Sequence, residues 1–432
     1  MQSRSSNPRV SDLLLALTAL EVLVLLASGG GLLAIPDDLA AIWPWELPPF
    51  NAAFFGAVYL ASLLSAAMLA YTGRWSPARI VLPMILLFTA VLFVLTLVYL
   101  DRFELVNAFT WIWLALYTLI PLNAAYHLWL YRGWKPAGAA VPGGAVRVLL
   151  LLIAAVYGLY GLGLLAAPGP FSAFWPWAVD EFHARMYSVA FLTPALGALL
   201  LLRAAAWAEV FSLGLTLAGG GLFTLLGFLL VALRLGRVDW AAPGTWLWLA
   251  LFAGFLASGL ALLGAARRLP RPSGRLNDGG FVVSIRLVAL FTGLAFTAAG
   301  IAGFLPVFTH APPPGAPPLL LDANYGYLLG IFPINLPHNL FHLLIGLLGL
   351  ALWRRERSAR LYVRGFALAL AVLTVAGLAP GLNSVFGLAP IFGHDVWLHG
   401  VEAFGAAYAG FWMPGTREGE KAAGQEVALH RP

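Results

Sequence analysis

The sequence predicts an all-α fold, a polytopic transmembrane helical bundle of about twelve spans. Three observations predict it. Of 432 residues, 61% are hydrophobic and only 10% are charged, against about 25% charged in soluble chains. The apolar residues fall in unbroken blocks rather than in the spaced pattern of amphipathic helices, and roughly 20 of them at about 1.5 Å each cross a hydrocarbon core. The cations, finally, gather in the short segments between blocks. Barrel strands would be shorter and would alternate in polarity, so the spans are read as helices.

The first block, 11–35, follows Arg4 and Arg9. It is longer than a signal-peptide core of about 7–15 residues and is read as a retained helix. Further spans are expected at 50–70, 80–100 and 106–130, then at 146–166, 182–202, 211–233 and 245–265. The last four are expected at 285–304, 334–353, 361–378 and 396–412. With the N-terminus in the cytoplasm and the sides alternating, only Arg102, Arg185, Arg234 and Arg237 of the 25 Lys and Arg fall on the outer side. That bias sets both termini in the cytoplasm and favours an even number of spans. The expected setting is a bacterial cytoplasmic (inner) membrane. The net charge of +6 is therefore an orientation signal, with the lipid bilayer as the partner and nucleic acid excluded. The absence of cysteine removes disulfides and thiolate metal sites.

An internal repeat organises the spans. "IWPWELPPFNAAFFGAVYL" around Trp43 returns as "FWPWAVDEFHARMYSVAFL" around Trp175, and "TWIWLALY" from Thr110 returns as "TWLWLALF" from Thr245. A weaker copy holds "IFPINLPHNLFHLLIGLL" and "VWLHGVEA". Three tandem four-helix units are expected, at 1–134, 145–268 and 284–413, with a disordered cytoplasmic tail over 414–432. In this register Ala53, Arg185 and His342 are equivalent positions. The Trp-Pro-Trp segments are expected along the outer interface as aromatic anchors.

Polar chemistry concentrates in the third unit. Residues three and four apart share a helix face, which puts Asn335, Asn339 and His342 on one stripe with His338 beside it. Asp395, His399 and Glu402 form a second stripe in the last span. Both are expected in the outer half of the membrane, presenting imidazole, carboxylate and amide at similar depth. Ionisable groups in a bilayer are costly and usually face a bundle interior. His338, His342, His399 and Glu402 have the donor types of a divalent-metal site. The same groups without metal suit a proton relay or a small polar solute, and His399 paired with one of the others suits a haem or quinone. The bland alternative is that these groups only hydrogen-bond helices together or cap helix starts, with Asp395 as an N-cap. Secondary candidates are Glu21, midway along the first span, and Arg185; His127 or Arg185 is the expected partner of Glu21. No phosphate-binding glycine loop, serine nucleophile elbow or His-Glu-x-x-His is present, so nothing marks the chain as an enzyme.

On "GYLLGIFPINLPHNLFHLLIGLLGLAL" and "GLAPIFGHDVWLHGVEAFGAAYAGF" the last third resembles a bacterial multi-pass membrane family known only as a domain of unknown function, the 4383 family. The resemblance implies a compact four-helix unit in which Asn335, His338, Asn339, His342, Asp395 and His399 occupy the family's polar positions. More distantly the four-helix plan is similar to DoxX-like membrane proteins, some of which accompany quinone-linked oxidases. Neither resemblance implies an activity.

Overall fold

The computed structural model describes residues 7–134, 139–270 and 284–413. The expected tail and residues 271–283, between the second and third expected units, lie outside them. The fold is an all-α polytopic bundle. Ten of the described helices are long and apolar enough to cross a membrane, and an eleventh apolar helix is shorter. Packing divides the chain into two compact units, Met1–Phe281 and Val282–Pro432.

The first unit holds α1 (Asp12–Ala34), α2 (Pro36–Ala41), α3 (Pro49–Thr72), α4 (Trp75–Val98), α5 (Ala108–Tyr131), α6 (Gly144–Ala166), α7 (Pro168–Ser172), α8 (Glu181–Arg203), α9 (Trp207–Leu235) and α10 (Pro243–Ala266). The short α2 and α7 are additions at the turns. Starts follow local chemistry. Ser11, Asn107 and Asp180 each accept a backbone N–H at a helix N-terminus, and α3 and α10 begin on proline. Left-handed Gly73 and Gly236 close α3 and α9.

Packing is paired: α1 on α3, α4 on α5, α6 on α8 and α9 on α10. The pairs then cross, α3 lying on α9 and α4 on α8, so these four helices form the interior. Exposed leucines such as Leu23, Leu119, Leu159 and Leu233 are on α1, α5, α6 and α9, as expected where lipid replaces water.

The Trp-Pro-Trp segments sit inside this core rather than along an interface. Trp43, Trp45 and Trp175 are buried. Trp45 packs edge-on against Phe55, Trp113 and Phe182, and Trp175 stacks on Tyr187 at 5.2 Å. The two segments bond across the interior in a reciprocal way. Trp45 Nε1 donates to His183 Nε2 on α8 (3.2 Å), and Trp177 Nε1 donates to Asn51 on α3 (2.8 Å). Turning inward gives the Trp45, Trp175 and Trp177 indole N–H groups partners, leaves that of Trp43 without one, and places ring area against ring area.

Because His183 Nε2 accepts from Trp45, its Nδ1 donates to Asp180 at 2.5 Å. Burial pushes the Asp180 carboxyl up, but the hydrogen bonds from His183 and the Arg102 guanidinium outweigh it and hold the carboxyl below its ordinary value. A depressed carboxyl stabilises the fold above the unfolded-state pKa and stops doing so as pH falls through the folded one. Asp180→Asn should therefore lower the melting temperature near neutral pH, and the gap to the parent should close in acid. A gap independent of pH would contradict this account.

The second unit holds α11 (Ile285–Ala302), a three-stranded antiparallel sheet of β1 (Thr309–His310), β2 (Gly326–Leu328) and β3 (Phe332–Ile334), then α12 (Leu336–Leu352), α13 (Glu356–Leu378) and α14 (His394–Ala407). A π-helical turn, Tyr408–Trp412, extends α14. The sheet lies almost wholly between the spans expected at 285–304 and 334–353. It takes in the Phe-Pro-Ile stretch, so the helix expected from 334 starts at Leu336, with Asn335 as its N-cap. Helix α11 packs on α12 and α13 on α14, with α13 also touching α11 and α12.

Candidate metal centre

Helix α12 begins where it does because Asn335 Oδ1 accepts the His338 N–H (3.2 Å) and Pro337 occupies the first turn. The Asn335 amide also donates to the carbonyls of Leu321 and Leu388, both at 2.8 Å, and ties the helix start to two loops. One turn on, Asn339 donates to Gly303 O (2.9 Å) at the end of α11. Both asparagines are fully buried. These amides hold backbone, and they present the next residues on the same turns.

Those residues are His338 and His342, buried with Nε2 atoms 3.1 Å apart. Helix α14 brings Asp395 and His399 to the same place, also buried. The His338 and His342 rings lie 6.0 and 6.4 Å from that of His399, and one nitrogen from each of the three falls within 4.8 Å of the others. Asp395 Oδ2 lies 3.7 Å from His338 Nδ1, the nitrogen that does not face His342. Asp395 is in the first turn of α14, where Gly393, and not Asp395, is the N-cap. Phe296 of α11 closes the opposite wall, edge-on to His342 at 5.0 Å.

Six buried polar atoms in this cluster have no hydrogen-bond partner: His338 Nδ1, His342 Nδ1, His399 Nδ1, Asn339 Oδ1, Asp395 Oδ2 and Glu402 Oε2. Each such atom costs about 1–3 kcal/mol relative to a satisfied one. Gluing helices together is therefore a poor account of the histidines and acids, though a good one of the asparagines. Three imidazoles and one or two carboxylates are a donor set for zinc, manganese, iron or cobalt and not for the hard cations that need six or more oxygens. His338 is placed as metal-bound histidines usually are, with one nitrogen toward the centre and the other toward a carboxylate.

The secondary candidates lie in the first unit and are engaged differently. Arg185 pairs with Glu181 (2.9 Å), bonds the Tyr99 hydroxyl and donates to Leu165 O. His127 is held by Ser11 Oγ (2.7 Å) and Asn123 O (2.9 Å). Neither is bonded to Glu21, so the expected partners of that carboxylate are set aside. Glu21 instead lines a cavity with Trp43, Tyr59 and Tyr117, residues that no local spacing in the sequence connects with it. Phe296 was likewise unmarked, because a lone aromatic in an apolar span carries no signal.

No curated protein and no solved structure matches the chain significantly. Residues 286–412, the stretch that carries α11 to α14 and the histidine cluster, match the family model described as "Domain of unknown function (DUF4383)".

Proposed function

We propose that this multi-pass membrane protein binds a divalent transition-metal ion through His338, His342 and His399. Asp395 orients His338, and Glu402 lies within one turn of His399 as a further oxygen donor. The observation that supports the reading best is the arrangement around His338, with Nε2 toward His342 and Nδ1 toward a buried carboxylate 3.7 Å away. Ligands about 2.0–2.1 Å from a tetrahedral ion stand about 3.3 Å apart, close to the 3.1 Å between the two Nε2 atoms. His399 has to swing inward to complete the set, since the three nitrogens span up to 4.8 Å.

The distribution of arginines supports cytoplasmic termini and a centre in the outer half of a bacterial inner membrane. The reciprocal Trp45–His183 and Trp177–Asn51 bonds are what two repeated four-helix units related by an approximate two-fold axis would produce.

The test is metal analysis of full-length protein purified without chelator, before and after reconstitution with zinc, manganese, iron or cobalt. About one ion per chain is expected. Added metal at roughly a thousand times its dissociation constant should raise stability by about 4 kcal/mol. His342→Ala and His399→Ala should abolish both effects, and Asp395→Asn should weaken affinity about 10–100-fold. A metal-free protein whose melting temperature ignores all four metals would overturn the proposal and leave a proton relay between His338 and His342 as the use of the cluster.

A further inference from the structure

The cavity beside Glu21 lies in the first unit, measures about 130 Å³ and is walled mainly by α1, α3, α4 and α5, with Thr193 of α8 and Thr216 of α9 completing it. Glu21 is halfway along α1. No lysine, arginine or histidine lines the space, and among the described residues Glu21 makes no ion pair. An intramembrane carboxylate without a counter-charge marks a functional site by default.

Much of the rest of the lining offers acceptors. Ser62 donates its proton to Val58 O (2.9 Å), Ser65 to Ser62 O (3.2 Å), Thr89 to Ile85 O (2.7 Å) and Thr216 to Ser212 O (3.1 Å). With those protons committed to their own helices, the four oxygens have only lone pairs left to offer. Tyr59 and Tyr117 bond hydroxyl to hydroxyl at 3.1 Å, and Trp113 stacks on Tyr117 at 3.9 Å. Aromatic faces are the negative pole of the ring quadrupole and attract cations. The exceptions are two buried donors with no partner, Trp43 Nε1 and the Thr193 hydroxyl.

We propose that this cavity binds a protonated organic amine of amphiphilic character, with its ammonium at Glu21. A divalent metal ion fits poorly, because the single carboxylate would leave one of its two charges uncompensated inside the membrane. An ammonium needs one counter-charge, acceptors for its N–H groups and ring faces, and all three are present. An acceptor oxygen elsewhere on the ligand would take the Trp43 N–H. Entry is from the side. Helix α1 packs on α3 and α5 on α4, which leaves the partly exposed Leu25 of α1 and Leu116 and Ile120 of α5 at the rim. An apolar tail would remain among them and the lipid.

The test is equilibrium binding of tritiated 2-phenylethylammonium to the full chain in nanodiscs, with empty nanodiscs as the blank. Saturable binding to the protein is expected, poorly displaced by the neutral isostere 2-phenylethanol. Glu21→Gln should weaken it roughly tenfold or more, the usual weight of a hydrogen bond to a charged group, while its melting temperature stays close to the parent's. Tyr117→Phe, which keeps the ring, should weaken it less. No saturable binding, equal displacement by the alcohol, or unchanged affinity in Glu21→Gln would each overturn the proposal. Should Glu21→Gln fail to fold, the alcohol comparison on the parent protein still decides.

Discussion

Arg79→Ala is expected to lower unfolding stability by about 3–5 kcal/mol. Arg79, at the start of α4, meets Glu209, at the start of α9, in a two-pronged pair with Nε to Oε1 at 2.7 Å and Nη2 to Oε2 at 2.6 Å. The same guanidinium donates to Ala204 O at 2.5 Å, and Glu209 Oε2 also accepts the Ala206 N–H at 3.0 Å. The carboxylate is completely buried and the guanidinium 18% exposed. Removing the arginine strands a charge with no water to solvate it. Removing both charges should be far milder, since a buried pair is worth little net against well-packed apolar groups. The double variant Arg79→Met with Glu209→Met should therefore recover most of what the single variant loses. The measurement is denaturant or thermal unfolding in a fixed detergent or lipid. Equal losses in the single and double variants would mean that the pair matters for packing and not for charge.

That pair also marks the limit of what the sequence makes legible. Its partners are 130 residues apart, and no local spacing announces such a contact. Long apolar blocks, by contrast, announce their own structure, because a lipid-buried backbone has no option but to bond to itself. Hence α6, α8 and α10 fall close to where the blocks lie. The ends shift where side chains intervene. Helix α9 starts at Trp207, four residues before its apolar block, because Glu209 satisfies its first free amide. The strands before α12 are three residues or fewer, too short for any alternation to register. In the candidate centre, the i, i+4 spacing made His338 and His342 readable as one face, and similar depth suggested α14 as the neighbour. The difference between the asparagines, which bond backbone, and the histidines, which do not, appears only in three dimensions. The Trp-Pro-Trp segments are buried, against expectation, for a related reason. Trp favours interfaces on average, and only the crossing of α3 with α9 and α4 with α8 creates a core wide enough to draw it in.

Gly346→Ala is expected to cost about 1–3 kcal/mol, and Gly346→Leu at least the top of that range. Helices α11 and α12 pack backbone to backbone. A Cβ on Gly293 would lie 2.8 Å from Leu350 N, and one on Gly300 would lie 2.9 Å from Asn339 O. A Cβ on Gly346 would strike the backbone nitrogen of Thr297, which cannot rotate away as a side chain can. Small residues permit this approach, and in lipid such packing supplies much of the association energy between helices. The site feels the same wedge. His342 is one turn before Gly346 and rests on Phe296, one residue before Thr297. Forcing the helices apart should carry His342 away from His399 on α14, which has no reason to follow. Metal affinity should therefore fall together with stability. Gly365→Ala on α13, whose Cβ would meet nothing within 4 Å, should change neither. A Gly346→Ala protein that melts with the parent and binds metal equally well would show that α12 can slide without disturbing the cluster, and the centre would then owe nothing to the close helix contact.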